Sequence, residues 1–237
     1  MKLIQLKQVL DNKRFLLFTI FIPVAWYVFL YNIQQGITPN IMLGIAVFIG
    51  IIGNSLATFS KRISSNIDFY SFESKFSKYT VKNYLLDQTL VQLVLNTLIF
   101  IVVLAVGVLF FSFPLNSQLV VQFFLLTVMG IYFSIIGFVI GVRLDEKIID
   151  TVSFPVIILA SMTIIPFASL GAEGGFMEFI SKAQMIFPGY YYTNIVNALT
   201  TSTSIDVKDI ALFIGVFILN VIPLYFLVPK VKLATVK

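Results

Sequence analysis

Between Arg14 and Lys61 lie 46 residues without one charged side chain, and Gln88–Val142 is a second uncharged run of 55 residues. A helix needs about 20 apolar residues to cross a hydrocarbon core of about 30 Å, so each run is long enough for two crossings and a turn. Only 11% of the 237 residues are charged and 59% are apolar, with mean hydropathy +0.98. A water-soluble domain carries about 25% charged residues, so most of this surface must face lipid.

The breaks within the runs are polar and rich in Gly and Pro. Asn32–Gly36 and Thr38-Pro39-Asn40 separate spans at 15–31 and 41–59; Ser112–Ser117 separates 90–111 from 119–142. A fifth apolar segment covers 151–170 and a sixth 210–228. The expectation is an all-α polytopic membrane protein, one permease-like domain over 1–237 with six transmembrane helices. Lys13-Arg14 before an apolar run resembles a signal peptide, but no small-x-small cleavage site follows, so the first span reads as a retained anchor.

Taken in order, the seven segments outside the spans hold 4, 0, 5, 0, 2, 2 and 3 Lys/Arg. Alternate segments share a side, giving 14 against 2. By the positive-inside rule both termini, the 61–87 loop and the Arg143–Asp150 loop are cytoplasmic. The net charge of +5 thereby becomes a determinant of topology, and no nucleic-acid partner is expected.

Three pieces outside the spans carry pattern. Leu3, Leu6 and Leu10 have helical spacing within 1–14, which reads as an interfacial amphipathic helix or a frayed basic leader. In the 61–87 loop Phe69, Phe72 and Phe76 share one helical face among Asp68, Glu73, Lys75, Lys78 and Lys82. That face either docks a partner or extends the flanking spans into the interface. The extracytoplasmic 171–209 segment holds a stripe of Phe176, Phe179, Ile180 and Ala183, an i,i+4 pair Glu178–Lys182, a break at Phe187-Pro188-Gly189, and then Tyr190-Tyr191-Tyr192. Two short helices hinged at Pro188-Gly189 would form a re-entrant hairpin or lie on the outer surface.

The chain has no Cys and no His, which excludes thiol and imidazole chemistry and the metal sites built from them. No Gly precedes a Lys, so no nucleotide phosphate loop exists. No Asp, Glu, Lys or Arg lies within the six spans, so the usual proton relay is lacking. Asp145-Glu146 with Asp150 offers oxygen ligands to Mg²⁺, but Arg143 and Lys147 flank it and favour a solvated loop. No catalytic, cofactor-binding or metal residue is assigned. Intramembrane glycines at 44, 50, 53, 130, 137 and 141 allow close helix approach, within the chain or in a dimer.

This ordering, with Phe154-Pro155, Ile165-Pro166-Phe167 and Ile186-Phe187-Pro188-Gly189-Tyr190-Tyr191, resembles the ABC type-2 permease family of bacterial exporters. The family's Leu-Ser-Gly stands here as Leu159-Ala160-Ser161, and Phe187 occupies the usual Asn position before the hinge proline. The resemblance implies a multi-pass subunit of the bacterial plasma membrane, moving an antibiotic, antimicrobial peptide or lipid-like molecule outward. It implies a homodimer or heterodimer and a separate ATPase subunit that holds ATP and Mg. The coupling loop would then be Asp68, Phe69, Phe72, Phe76 and Lys82; the gate would be Pro166, Phe187, Pro188, Gly189, Tyr190 and Tyr191. Rival readings are the substrate-capturing component of a vitamin importer, an ion-coupled carrier and a membrane enzyme of lipid metabolism.

Overall fold

A computed structural model describes residues 17–33, 37–66, 81–165, 167, 174–201 and 206–227. The described residues form helices and connections, with no strand among them. In chain order the helices are α1 (Ile22–Ile33), α2 (Pro39–Gly53), α3 (Val81–Phe111), α4 (Gln118–Arg143), α5 (Glu146–Ser161), α6 (Gly175–Gln184), α7 (Pro188–Thr200) and α8 (Val207–Leu227). A π-helical turn, Leu17–Phe21, leads into α1. It lies where the ring of Pro23 would otherwise clash with the carbonyl four residues earlier.

Pro39 opens α2 from an extended Thr38, its fixed φ suiting the first helical position. The helix widens into a π stretch at Asn54–Phe59 and continues to Asn66, well beyond the span expected at 41–59. α3 ends where Ser112 takes a left-handed φ of 51°, turning the chain so that the Phe113 amide donates to the Gly107 carbonyl (3.1 Å). The α3–α4 connection therefore falls at the Ser112–Ser117 break. Asp145, extended, precedes α5, and Glu146 in its first turn complements the helix dipole.

Among the described residues four helices are long and apolar enough to cross a membrane: Pro39–Asn66, Asp87–Phe111, Gln118–Arg143 and Val207–Leu224. Their outward faces are apolar, with Leu109, Phe110, Phe124, Leu219 and Phe226 all largely exposed. In water such a belt would drive aggregation; in a bilayer it is the solvated surface. Several hydroxyls in these helices return to their own backbone, as Thr97 to Leu93 (2.9 Å) and Thr127 to Phe123 (2.8 Å).

The most apolar window of α2 is wholly buried. α1, α3, α4, α5 and α7 all pack against it, making it the axis of the bundle. Phe48, for instance, meets Phe133 of α4 edge-on (5.3 Å) and stacks on Tyr192 of α7 (6.2 Å). A helix buried on every side can be apolar all round, which is what its sequence shows.

The fifth apolar segment departs most from expectation. Instead of a helix over 151–170, α5 begins earlier and stops at Ser161, followed by a turn through Met162–Ile164. Its 16 residues rise about 24 Å, short of a full crossing. Ile165 precedes Pro166, and the helical conformation is disfavoured for the residue before proline, which favours an end to the helix by this point. Pro155 lies within α5 without ending it.

Candidate functional site

One end of the bundle carries a cluster of charged groups. Lys61 at the far end of α2 bonds to Asp150 (2.7 Å) and lies 3.7 Å from Glu146, both on α5. Ser64 donates to the Leu144 carbonyl (2.8 Å), and Arg143 Nε to the carbonyl of Leu227 at the end of α8 (2.6 Å). Thus two of the three carboxylates considered for Mg²⁺, Glu146 and Asp150, share a lysine, and no cluster of three or more His, Cys, Asp or Glu placed to hold a metal occurs among the described residues. Asp68, Phe69, Phe72 and Phe76 lie outside the described residues. Lys82 falls in the first turn of α3, its side chain outside the description.

The opposite end is closed by neutral groups. Gln122 of α4 donates to the Asn40 carbonyl (2.7 Å) and lies 3.2 Å from the Tyr192 hydroxyl; Asn40 Nδ2 donates back to Gln122 Oε1 (3.3 Å). Gln118 donates to the carbonyl of Leu199, at the end of α7 (2.5 Å). From Asn40 to Lys61 is about 32 Å along α2, close to the thickness of a hydrocarbon core.

The broken end of α5 is met by α6 and α7. Ending a helix inside an apolar bundle orphans its last carbonyls, and each needs a donor. Gln184 of α6 donates to both Met162 O (2.5 Å) and Ile165 O (2.9 Å). The Thr193 hydroxyl of α7 donates to Ile164 O (2.9 Å), and Thr163 donates to Ala160 O (2.7 Å). From the other side Asn220 of α8 donates to Ile186 O (2.8 Å), in the α6–α7 turn. Asn220 lies about 20 Å along α8 from Val207 and about 10 Å from Leu227. The turn is therefore tied to α8 about two thirds of the way along it, with Met185, Ile186 and Phe187 themselves exposed.

Each expected gate residue has a definite place except Pro166, which lies outside the described residues. The chain turns ahead of the proline: Met185, Ile186 and Phe187 donate to the carbonyls of Lys182, Ala183 and Gln184. Phe187 is extended and partly exposed, while Pro188 is the first residue of α7. Gly189 is helical, not a dihedral exception; the described glycine with positive φ is Gly174 (122°), which opens α6. The role of Gly189 is close approach, since a Cβ there would meet Thr163 Oγ1 at 3.0 Å and Thr163 O at 3.1 Å.

The aromatics do not act as one surface. Tyr191 (8% exposed) and Tyr192 (2%) turn into the core, and Tyr190 is half-buried, edge-on to Tyr191 at 5.3 Å. The stripe on α6 likewise divides: Phe176 and Phe179 face outward, Ile180 and Ala183 are half-buried. Glu178 and Lys182 form their pair at 2.8 Å.

Sequence reasoning passed over the neutral amides Gln184, Asn220, Gln122 and Asn40, although an isolated amide in an apolar segment is itself a signal of internal bonding. It also passed over an inner seam on α2. There Gln92 Nε2 donates to Ser55 Oγ and to Asn96 Oδ1, both at 3.3 Å, and Arg62 Nη2 approaches Gln92 Oε1 at 3.5 Å. No family model, no curated protein and no solved structure matches the chain.

Proposed function

We propose that the chain is the membrane-spanning permease subunit of an ATP-driven exporter of hydrophobic or amphipathic molecules. The observation that carries this reading is the broken α5, its end bonded by α6 and α7, with the α6–α7 turn tied to α8 through Asn220. Irregular backbone at membrane depth is tolerated where protein buries it, and it occurs where a pathway opens and closes. On this reading α1, α2, α3, α4 and α8 cross the membrane, α5 with its irregular continuation makes the sixth crossing, and α6–α7 re-enters from outside. The charged end at Lys61, Arg143 and Asp150 is cytoplasmic, in accord with the 14-to-2 distribution of Lys/Arg.

Energy enters from outside the chain. With no phosphate loop and no charged relay, work must come through contacts of the 61–87 loop with an ATPase, and the permease dimerises with itself or a sister subunit. The ATPase shifts the permease only as far as it binds one state better than the other.

The test is purification of the tagged chain from native membranes, with identification of stoichiometric partners. A subunit carrying a phosphate loop is expected with the wild type. Phe72→Asp should release it, since an aromatic anchor at an interface carries about 2 kcal/mol or more. Retention of the ATPase and of transport in both Phe72→Asp and Phe76→Asp would remove the loop from coupling. Transport that follows an ion gradient and ignores ATP would overturn the assignment itself.

A further inference from the structure

The α6–α7 hairpin carries polar groups on its outer surface. On α7, Tyr190, Asn194, Asn197 and Thr201 recur at the spacing of one helical face. That face turns away from the core: Tyr191, Tyr192, Ile195 and Val196 are buried, whereas Tyr190 and Asn194 are half-buried and Asn197 and Thr201 exposed. Neither Asn194 nor Asn197 has a side-chain hydrogen bond among the described residues, and both amides reach the surface of the chain.

Two ties fix the level of these groups. Gln118, at the start of α4, bonds to Leu199 O near the end of α7 and sets a common level for both helices. Asn194 lies about 8 Å inside that level along α7, and Phe124 about 9 Å inside it along α4. The second tie is Asn220 to Ile186 O, about 15 Å inside the apolar stretch of α8 that begins at Ile210. Lys182 precedes Ile186 by one tight turn, a climb of about 6–8 Å, so its backbone stays about 7 Å or more inside that stretch. Yet the Glu178 and Lys182 side chains, paired at 2.8 Å, are each 68% exposed.

We propose that water enters the outer half of the membrane along this hairpin, so that Asn194 and the Glu178–Lys182 pair face an aqueous inlet instead of lipid. An exposed ion pair, or an amide side chain without a partner, is costly in hydrocarbon and at no disadvantage in water. Lysine can reach toward the surface along its own stem, but the short side chain of Asn194 cannot. A second copy of the chain is disfavoured as the cover, since protein interfaces are depleted of charge at their centre. The inlet depends on α6–α7 re-entering from outside, as in the reading above, and on nothing about cargo or ATP.

Single cysteines in the full chain test the inlet, because a thiol reacts as its thiolate and burial in apolar surroundings suppresses that form. In intact cells an impermeant sulfonated methanethiosulfonate should modify Asn194→Cys and Lys182→Cys about tenfold faster, or more, than Phe124→Cys and Ile214→Cys. Phe124 (62% exposed) and Ile214 (52%) lie on the apolar belt at similar depth. Complete reaction of each cysteine after denaturation in SDS normalises the rates, and Asn197→Cys replaces Asn194→Cys if that variant fails to fold. Equally slow rates would put lipid or a second copy against the hairpin, and equally fast rates would put all these levels outside the hydrocarbon. Either result overturns the inlet and leaves export standing. Reaction at positions 182 and 194 only after the membrane is opened would overturn the inlet together with the topology.

Discussion

Gly137 of α4 faces the carbonyl oxygen of Ser55 on the π stretch of α2 with room for hydrogen alone; a Cβ at position 137 would fall onto that oxygen. One turn on, a Cβ at Gly141 would strike the Ser60 carbonyl and lie 2.7 Å from Ile63 Cβ. Gly130 instead makes room for a side chain, the Asn96 amide. The glycine stripe of α4 is thus used inside the chain, letting two backbones close together where lipid supplies no hydrophobic drive between helices.

Gly137→Ala should therefore destabilise the protein by about 1–3 kcal/mol, the usual range for overpacking. Gly215 of α8 has nothing within 4 Å of its Cβ position, so Gly215→Ala should be neutral or stabilising by up to about 1 kcal/mol. Thermal unfolding of both variants in one detergent checks the contrast. Equal midpoints would mean that α2 and α4 are not in this close contact.

The Asn40–Gln122–Tyr192 clamp predicts an order of effects. Tyr192→Phe removes one bond and should cost about 0.5–1 kcal/mol, whereas Gln122→Leu leaves both Asn40 and the Tyr192 hydroxyl without their partner and should cost about 1–3 kcal/mol. The same unfolding assay reads the order, and the reverse order would contradict the clamp.

At the broken helix, the proposed export function predicts that Gly189→Val impairs transport by displacing Thr163, while Pro188→Ala at the first position of α7 stays near wild type. Asn220→Leu removes the bond to Ile186 O and should loosen the turn by about 0.6 kcal/mol, the mean for such intramembrane bonds. Transport and ATP hydrolysis measured together in proteoliposomes check all three. A Pro188→Ala defect larger than that of Gly189→Val would return the hinge to the proline.

The uncharged runs made the break at Ser112–Ser117 legible, because polar residues and Pro114 interrupt an otherwise apolar stretch. The early end of α5 was half-legible: Pro166 marks a limit, but Ser161, Met162 and Thr163 carry no breaker, and the end there depends on donors from Gln184 and Thr193, brought in by tertiary folding. The central place of α2 was hidden, since uniformly apolar helices look alike in sequence whether they face lipid or protein. Reading charge alone also concealed Asn54, Gln92 and Asn96, neutral groups whose burial only packing reveals.

Export as proposed requires work to enter from the cytoplasm near 61–87 and cargo to leave past α6–α7. Because the chain has no cysteine, single introduced cysteines report topology without background. An impermeant maleimide applied to intact cells should label Lys182→Cys and leave Lys75→Cys unlabelled until the membrane is opened. Labelling of Lys75→Cys in intact cells would put the loop beyond reach of any cytoplasmic ATPase and contradict the account.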